Sequence, residues 1–173
     1  MDVPRWVRRA LLAGGTCELV ALTIWIGGLI VIIGSVIPAV FNSFGMEPGG
    51  RFLTRVFDGY NRLVIVAVVM LMSVAGFRYW VTGRFGRAGA ALSRPEIALL
   101  MLMVAVAAGI ILILGPASVA LQEQAFATKE EAARQAAYAA FFKTHMVVRA
   151  LYVLNLVLGI GLLVVKLKEW TKL

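Results

Sequence analysis

Residues 19–46 read LVALTIWIGGLIVIIGSVIPAVFNSFGM, and these 28 residues contain no charged side chain. A helix rises about 1.5 Å per residue, so about 20 predominantly apolar residues cross the roughly 30 Å hydrocarbon core of a bilayer. A buried helix of a water-soluble protein rarely stays uncharged over such a length, because one of its faces usually meets water. The stretch therefore predicts a membrane-spanning helix.

The composition of the whole chain agrees with an integral membrane protein. Of the 173 residues, 61% are hydrophobic and 15% are charged, and the formal net charge is +8. A typical soluble domain carries about 25% charged residues. The basic residues flank the apolar segments and form no stripe interleaved with aromatic residues, so they suit anionic lipid headgroups and argue against nucleic acid as a partner. The single cysteine, Cys17, excludes an intrachain disulfide.

Three further apolar segments predict an all-α bundle of four membrane-spanning helices. The whole chain, residues 1–173, is predicted to form a single transmembrane domain. Its spans are predicted at about residues 19–41, 62–82, 96–122 and 146–165. Ser93 is predicted as the N-cap of the third span, because its hydroxyl can accept a hydrogen bond from a free backbone N–H group in the first turn.

The segments outside the spans are predicted to contain short interfacial helices. Residues 47–50, Glu-Pro-Gly-Gly, are a strong helix breaker. After them, residues 51–60 suit a short helix in the outer interface, and the apolar residues of the leader 1–16 suit another. In the third connection, Thr128 and Glu131 match a capping box, and the alanine-rich helix after it is expected to continue into span four.

The distribution of basic residues predicts the orientation of the bundle. Arginine and lysine are in excess in the leader (residues 1–16), in the second connection (counted over residues 78–95) and in the tail (residues 166–173). Acidic residues balance them in the first connection (residues 42–62) and in the third (residues 122–143). Cytoplasmic loops carry the excess of basic residues in membrane proteins. Both termini are therefore predicted to be cytoplasmic, and the protein is predicted to be a multi-pass membrane protein.

Small residues and prolines recur in spans one and three. One face of span one carries residues that would let a neighbouring helix come close: Thr23, Gly27, Gly34 and Pro38. Spans one and three both contain two glycines followed by a proline: Gly28, Gly34 and Pro38, and Gly109, Gly115 and Pro116. Two helical hairpins in the same orientation would explain this similarity. Pro38 is expected to kink span one near its outer end, because proline has no N–H group to donate. Gly115 and Pro116 are expected to bend or end span three near the outer surface.

Span four carries a polar stripe that enters the membrane. Its members fall within about 120° of the helix circumference: His145, Arg149, Tyr152, Asn155 and Gly159. Polar residues in spans usually face the bundle interior, because lipid cannot satisfy them. Two interpretations remain open, a hydrogen-bonded seam between helices or an outer-side binding site for a cofactor, quinone or other small ligand. In both, Asn155 is expected to face the inside of the bundle.

The residue types do not favour a bound cofactor or metal. His145 is the only histidine, so a haem would need Met46, Met146 or His145 of a second copy as its other axial ligand. The methionines within spans two and three are more typical of packing than of copper binding: Met70, Met72, Met101 and Met103. We therefore expect neither a cofactor nor a metal.

The sequence also lacks the usual patterns of an enzyme or an ion-coupled transporter. It contains no nucleophile-and-base arrangement, no glycine-rich phosphate loop and no metal-ligand cluster. No charged residue lies at the centre of a span, where ion-coupled transporters usually have one. Glu18 and Arg78, at the cytoplasmic ends of spans one and two, are expected to form a structural ion pair.

A run of residues in the first span resembles a known family. The run Trp25-Ile-Gly-Gly, followed by Pro38 and Phe41 and by His145 and Asn155 in the last helix, resembles the bacterial family related to transmembrane protein 205. The resemblance implies a four-helix membrane protein without an assigned activity. That family is similar in turn to copper-resistance-D-like membrane proteins and to the haem-binding HemJ family. This chain departs from the HemJ pattern because its first helix has no histidine.

Together with the resemblance, these observations favour a non-enzymatic accessory or interaction subunit of a bacterial inner membrane. Its expected partners are the lipid bilayer and either further copies of itself or a larger membrane complex. One alternative is a haem- or metal-handling protein that uses His145 on the outer side, and another is a transporter of a small solute. The sequence does not identify the ligand or the partner.

Overall fold

The computed structural model describes residues 4–86 and 91–170, and within them it shows a bundle of four long helices. These are α1 (Arg5–Phe44), α2 (Met46–Phe85), α3 (Arg94–Ala127) and α4 (Glu131–Trp170). All four are long and apolar enough to cross a membrane. The predicted all-α four-helix architecture is therefore confirmed. We call the end at which α1 meets α2 and α3 meets α4 the loop end, and the opposite end the terminal end.

The helices extend well beyond the predicted spans. Residues 51–60 and the described part of the leader are not separate interfacial helices, because they are continuous with α2 and α1. Residues 47–50, predicted to break the helix, lie in the first turns of α2. Gly45, at a φ of 73°, makes the corner before them. Pro48 is tolerated there because the N–H groups of a first turn have no partner within the helix.

The ends of α3 and α4 show which capping predictions hold. Ser93 accepts a hydrogen bond from the backbone N–H of Glu96 at 3.4 Å, which confirms its N-cap role. The predicted capping box is wrong, because the Thr128 hydroxyl donates to the carbonyl of Gln124 at 2.8 Å and so belongs to the end of α3. The helix α4 then begins at Glu131 and continues through span four, as predicted.

Pro38 of α1 and Pro116 of α3 are accommodated without ending their helices. A π-helical turn precedes each of them, Ile32–Val36 before Pro38 and Ile110–Leu114 before Pro116. A proline ring clashes with the carbonyl four residues earlier and donates no hydrogen bond, so the wider π turn relieves a local misfit. The similarity between spans one and three in sequence thus has a counterpart in their backbones.

The predicted packing face of α1 is wrong. Thr23, Gly34 and Pro38 are exposed on the outside of the bundle. Among the glycines of span one, the one against which a neighbouring helix packs is Gly28, where an added Cβ atom would lie 3.1 Å from the Tyr60 ring. The π-helical turn at Thr23–Gly27 explains the difference, because an extra residue in a turn shifts the following face by about 100°.

An apolar core and a cluster of four charges hold the helices together in the half of the bundle nearer the terminal end. The core includes Leu22, Trp25 and Leu29 of α1, Val64 and Leu71 of α2, Leu100 and Met103 of α3, and Leu162 of α4. Nearer the terminal end, each helix contributes one charged residue to a buried cluster, which we call the ion quartet: Glu18, Arg78, Glu96 and Lys166.

Within the ion quartet, each carboxylate contacts both cations. Arg78 lies 3.3 Å from a carboxylate oxygen of Glu18 and 2.6 Å from one of Glu96, and Lys166 lies 2.9 Å and 2.5 Å from the same two groups. No side chain of the four is more than 13% exposed. The predicted pair of Glu18 and Arg78 is confirmed. Glu96 and Lys166 were missed, because in the sequence they look like ordinary charges that flank a span.

Candidate functional site

A cavity of about 460 Å³ lies among the four helices at the loop end. Its walls come from Ile37 and Phe41 of α1, from residues 46–61 of α2, from residues 115–126 of α3 and from residues 138–152 of α4. Binding sites for small molecules typically measure about 300–1,000 Å³. We call this space the loop-end cavity, and it is large enough for such a ligand.

The wall of the loop-end cavity is mainly apolar and rich in aromatic rings. The Phe57 and Tyr152 rings pack with their centroids 5.1 Å apart, and the Phe126 and Tyr138 rings with theirs 6.2 Å apart. These pairs join α2 to α4 and α3 to α4. Further aromatic wall residues are Phe41, Phe141 and Phe142. Aromatic rings supply large apolar contact surfaces to such a wall.

Three members of the predicted polar stripe border this cavity: His145, Arg149 and Tyr152. The Tyr152 hydroxyl donates a hydrogen bond to the side-chain oxygen of Asn61 at 3.0 Å. Arg149 is exposed and His145 is half-buried. The structure therefore brings the outer part of the stripe to one cavity, as the binding-site interpretation requires, and it also forms one hydrogen bond of the seam interpretation.

Asn155, the deepest member of the stripe, lies below the cavity. It is 3% exposed, which confirms that it faces the inside of the bundle. Its amide nitrogen donates to the carbonyl of Met103 at 3.5 Å, and its amide oxygen accepts no hydrogen bond from the described part of the protein. Asn155 borders a chamber of about 10 Å³. A volume of this size is about what one water molecule needs.

The chamber is separated from the loop-end cavity by a polar wall. Asn61 and Tyr152 border both spaces, so the hydrogen bond between them lies at the boundary. Below them, the Tyr60 hydroxyl donates to the backbone carbonyl of Trp25 at 2.8 Å. Trp25 lies in the π-helical turn Thr23–Gly27, and its carbonyl also accepts a hydrogen bond from the backbone N–H of Gly28.

Sequence reasoning missed the polar wall residues outside the stripe. The amide nitrogen of Gln122 donates to the Thr54 hydroxyl at 3.5 Å across the cavity wall, and Ser118 and Asn61 also border the cavity. These residues fall in segments predicted as connections or as span ends, where polar residues are ordinary. Their helical spacing was the available signal, because Thr54 and Asn61 lie seven residues apart on α2, about two helical turns.

Most of the residues considered for haem or copper lie apart from one another. His145 packs on the Phe141 ring, with centroids 5.2 Å apart, and it borders the same cavity as Met46. Met146 is exposed and does not border the cavity. Met103 is buried in the core, whereas Met101 is exposed. Within residues 4–86 and 91–170, no three side chains of His, Cys, Asp or Glu form a group that would hold a metal ion.

The rim of the cavity at the loop end is charged. The Arg51 guanidinium lies 3.5 Å from a carboxylate oxygen of Glu47 and 3.5 Å from one of Glu123. The same guanidinium lies over the Phe126 ring, 5.5 Å from its centroid. The three charged side chains are about half exposed. Exposed ion pairs of this kind are typical of a surface in water, so the rim is suited to lie outside the hydrocarbon core.

Comparison with known proteins identifies the family but no characterised relative. No curated protein and no solved structure shows significant similarity to the chain. A family described as a domain of unknown function, DUF4149, matches residues 20–127. The match covers more than half of the chain and ends with the last residue of α3. The protein therefore belongs to the DUF4149 family of domains of unknown function.

Proposed function

We propose that this protein is a non-enzymatic accessory protein of the membrane that holds a lipophilic small molecule in the loop-end cavity. The observation that carries the proposal is the size and chemistry of that cavity, about 460 Å³ between four helices with mostly apolar walls. Small-molecule sites combine such walls with a few polar groups that orient the ligand. Here Asn61, Tyr152, Thr54 and Gln122 supply the polar groups.

The side chains around the cavity favour binding over catalysis. Tyr152 and Gln122 already donate hydrogen bonds to Asn61 and Thr54. Among the described residues that border the cavity there is no carboxylate, and His145, which could act as a general base, packs on the Phe141 ring with no carboxylate beside it in the cavity wall. Enzymes usually place such a group within hydrogen-bond reach of the reacting atoms. This composition supports a binding role.

The same proposal includes the location of the protein. We place it in a bacterial inner membrane with both termini in the cytoplasm, so that the loop-end cavity lies on the outer side. The support is the excess of arginine and lysine at the terminal end. Single cysteines at positions 47 and 84, introduced into a Cys17→Ser background, check the orientation with an impermeant thiol reagent in intact cells. Labelling at 47 alone agrees with the proposal, and labelling at 84 alone contradicts it.

A pair of adjacent valines provides a direct test of ligand binding. Val148 borders the cavity and is 8% exposed, whereas Val147 is 48% exposed and does not border it. Val148→Trp is expected to displace the ligand, because the larger side chain projects into the cavity, whereas Val147→Trp is expected to leave it bound. The measurement is mass spectrometry of the lipophilic molecules that copurify with each variant.

Two results would contradict the proposed binding. One is wild-type protein that carries no lipophilic molecule at near-stoichiometric amount. The other is equal retention by Val148→Trp and Val147→Trp when both variants show the same cooperative unfolding transition in detergent. Thr54→Phe, which projects into the cavity from α2, serves as a second filling variant if Val148→Trp does not fold.

The haem alternative has one structural observation in its favour, because His145 and Met46 border the same cavity. Such a pair of residue types can serve as axial haem ligands. The resemblance to the family related to transmembrane protein 205, and through it to copper-resistance-D-like and HemJ proteins, belongs with this alternative. An absorption spectrum separates it from the main proposal, since a near-stoichiometric Soret band that is lost in His145→Ala would favour haem.

Association with other proteins is a further part of the proposal. The exposed face of α1 carries Thr23, Gly34 and Pro38 on the outside of the bundle. Small residues on a lipid-facing surface allow close approach of another transmembrane helix. This face supports a homo-oligomer or a larger membrane complex, and the mass of the purified particle, after correction for detergent, measures which of them forms.

A further inference from the structure

We propose that the ligand of the loop-end cavity is an anionic amphiphile, an acyl chain that ends in a carboxylate or a phosphate group. Its charged group pairs with Arg149, and its chain lies along the aromatic wall towards Tyr138. The inference rests on the proposed function and names the chemical class of the ligand. Charge, shape and position of the cavity each support it.

The charge of the cavity favours an anion. Arg149 is the only charged side chain among the described residues that border it, unless His145 takes up a proton. Within residues 4–86 and 91–170, no carboxylate oxygen lies within 4 Å of the Arg149 guanidinium. Asp58 is near enough to act electrostatically on Tyr152 but forms no ion pair with Arg149. A guanidinium has only donors, arranged in a fork that matches the oxygens of a carboxylate or phosphate.

The shape of the cavity favours a chain. The wall residues of α4 run from Tyr138 to Tyr152, which corresponds to about 21 Å of helix axis. Arg149 lies near the deeper end of this wall, close to the polar boundary of Tyr152 and Asn61. The aromatic pair of Phe126 and Tyr138 lies towards the other end. A charged group at the deeper end and an apolar path beyond it match an amphiphile better than a compact polar solute.

The position of the cavity explains why its wall is apolar. The part of α4 before span four, residues 131–145, has an exposed polar face, and the rim at Arg51 is charged and half exposed. Both features are typical of a segment beyond the hydrocarbon core. Tyr138 and Phe141 nevertheless turn towards the cavity. An acyl chain in this part of the cavity would lie outside the bilayer, where lipid cannot shield it from water. The apolar wall of the cavity would shield it instead.

The test compares palmitate with the alcohol of the same chain length, both added to full-length protein in detergent. Wild-type protein is expected to bind palmitate about tenfold more tightly, because charge-assisted hydrogen bonds are roughly twice as strong as neutral ones. In Arg149→Gln this preference is expected to disappear. Lys143→Gln is the matched control, since Lys143 is an exposed cation of the same helix that does not border the cavity.

The outcomes separate this inference from the proposed function. If both compounds bind equally to wild-type protein and Val148→Trp blocks both, the cavity binds lipophiles but the anionic assignment is wrong. If neither compound binds but Val148→Trp still displaces a copurifying lipophilic molecule, the inference fails and the proposed function stands. If a second protein chain occupies the cavity, both proposals fail. Phosphatidylglycerol identifies the source of the anion. If phosphatidylglycerol competes with palmitate, the anion is a phospholipid headgroup. If it does not compete, the anion is a free fatty acid. Either result supports the inference when Arg149→Gln abolishes the preference for palmitate over the alcohol.

Discussion

Replacing Lys166 with methionine is expected to lower the melting temperature of the protein in detergent by about 10 °C, one of the two largest effects that the structure implies. Lys166 contacts both Glu18 and Glu96 inside the bundle. Without it, Arg78 alone faces two buried carboxylates. Removing one partner of a buried ion pair typically costs about 3–5 kcal/mol. Here both carboxylates keep their contact with Arg78, but one buried negative charge of the quartet is left without a compensating cation within the quartet.

Two further variants show whether this loss comes from the ion quartet. Arg84→Met removes an exposed cation of α2 and is expected to change the melting temperature little. The double variant Lys166→Met, Glu96→Gln removes one charge of each sign and leaves the pair of Glu18 and Arg78 intact. It is expected to be more stable than Lys166→Met alone. The role of the quartet is contradicted if Lys166→Met is no more destabilising than Arg84→Met.

Replacing Gly115 with alanine is expected to destabilise α3, by about 1–3 kcal/mol, because the new methyl group forces a shift of the backbone. An added Cβ atom at this position would lie only 2.7 Å from the backbone carbonyl oxygen of Ile110. That carbonyl belongs to the π-helical turn Ile110–Leu114. A flexible side chain could move aside, but a backbone oxygen moves only if the turn itself changes.

Gly109 provides the matched control on the same helix. No atom lies within 4 Å of the position that its Cβ would occupy, so Gly109→Ala is expected to be neutral or slightly stabilising, since alanine favours helix by up to about 1 kcal/mol over glycine. Thermal unfolding of both variants in detergent measures the difference. Equal stability of Gly115→Ala and Gly109→Ala would mean that the π-helical turn before Pro116 is absent.

The number of helices and the direction of the polar stripe were predictable from the sequence. A span needs about 20 apolar residues, and segments such as 19–41 meet this requirement without reference to any neighbour. Asn155 was expected to face inward because an amide exposed to lipid lacks hydrogen-bond partners. Both predictions rest on the contrast between lipid and polar groups, which a single sequence contains.

The full length of the helices was harder to predict. Hydropathy detects the part of a helix that lies in hydrocarbon, so residues 51–60 looked like a separate element although they are part of α2. The π-helical turn at Thr23–Gly27 also leaves no clear pattern in the sequence. It changes which face of α1 meets its neighbour, and for this reason Gly28 replaces the predicted Gly27 in the packing.

The loop-end cavity and the ion quartet depend on how the helices pack together. Glu96 and Lys166 are separated by 70 residues in the chain, and each alone resembles an ordinary charge that flanks a span. Thr54 and Gln122 likewise meet only across the bundle. A cavity exists where side chains do not fill the space between helices, and hydropathy contains no information on that space. Of the cavity wall, the sequence predicted only the three residues of the polar stripe that border it: His145, Arg149 and Tyr152.

The most direct test of the proposed function is an experimental structure of the full-length protein purified from its native membrane without added lipid. We expect elongated non-protein density in the loop-end cavity, with one end beside Arg149 and the remainder along Phe126 and Tyr138. A structure in which the aromatic side chains meet and close the cavity, with no density between the helices, would contradict the proposal that this protein holds a lipophilic ligand.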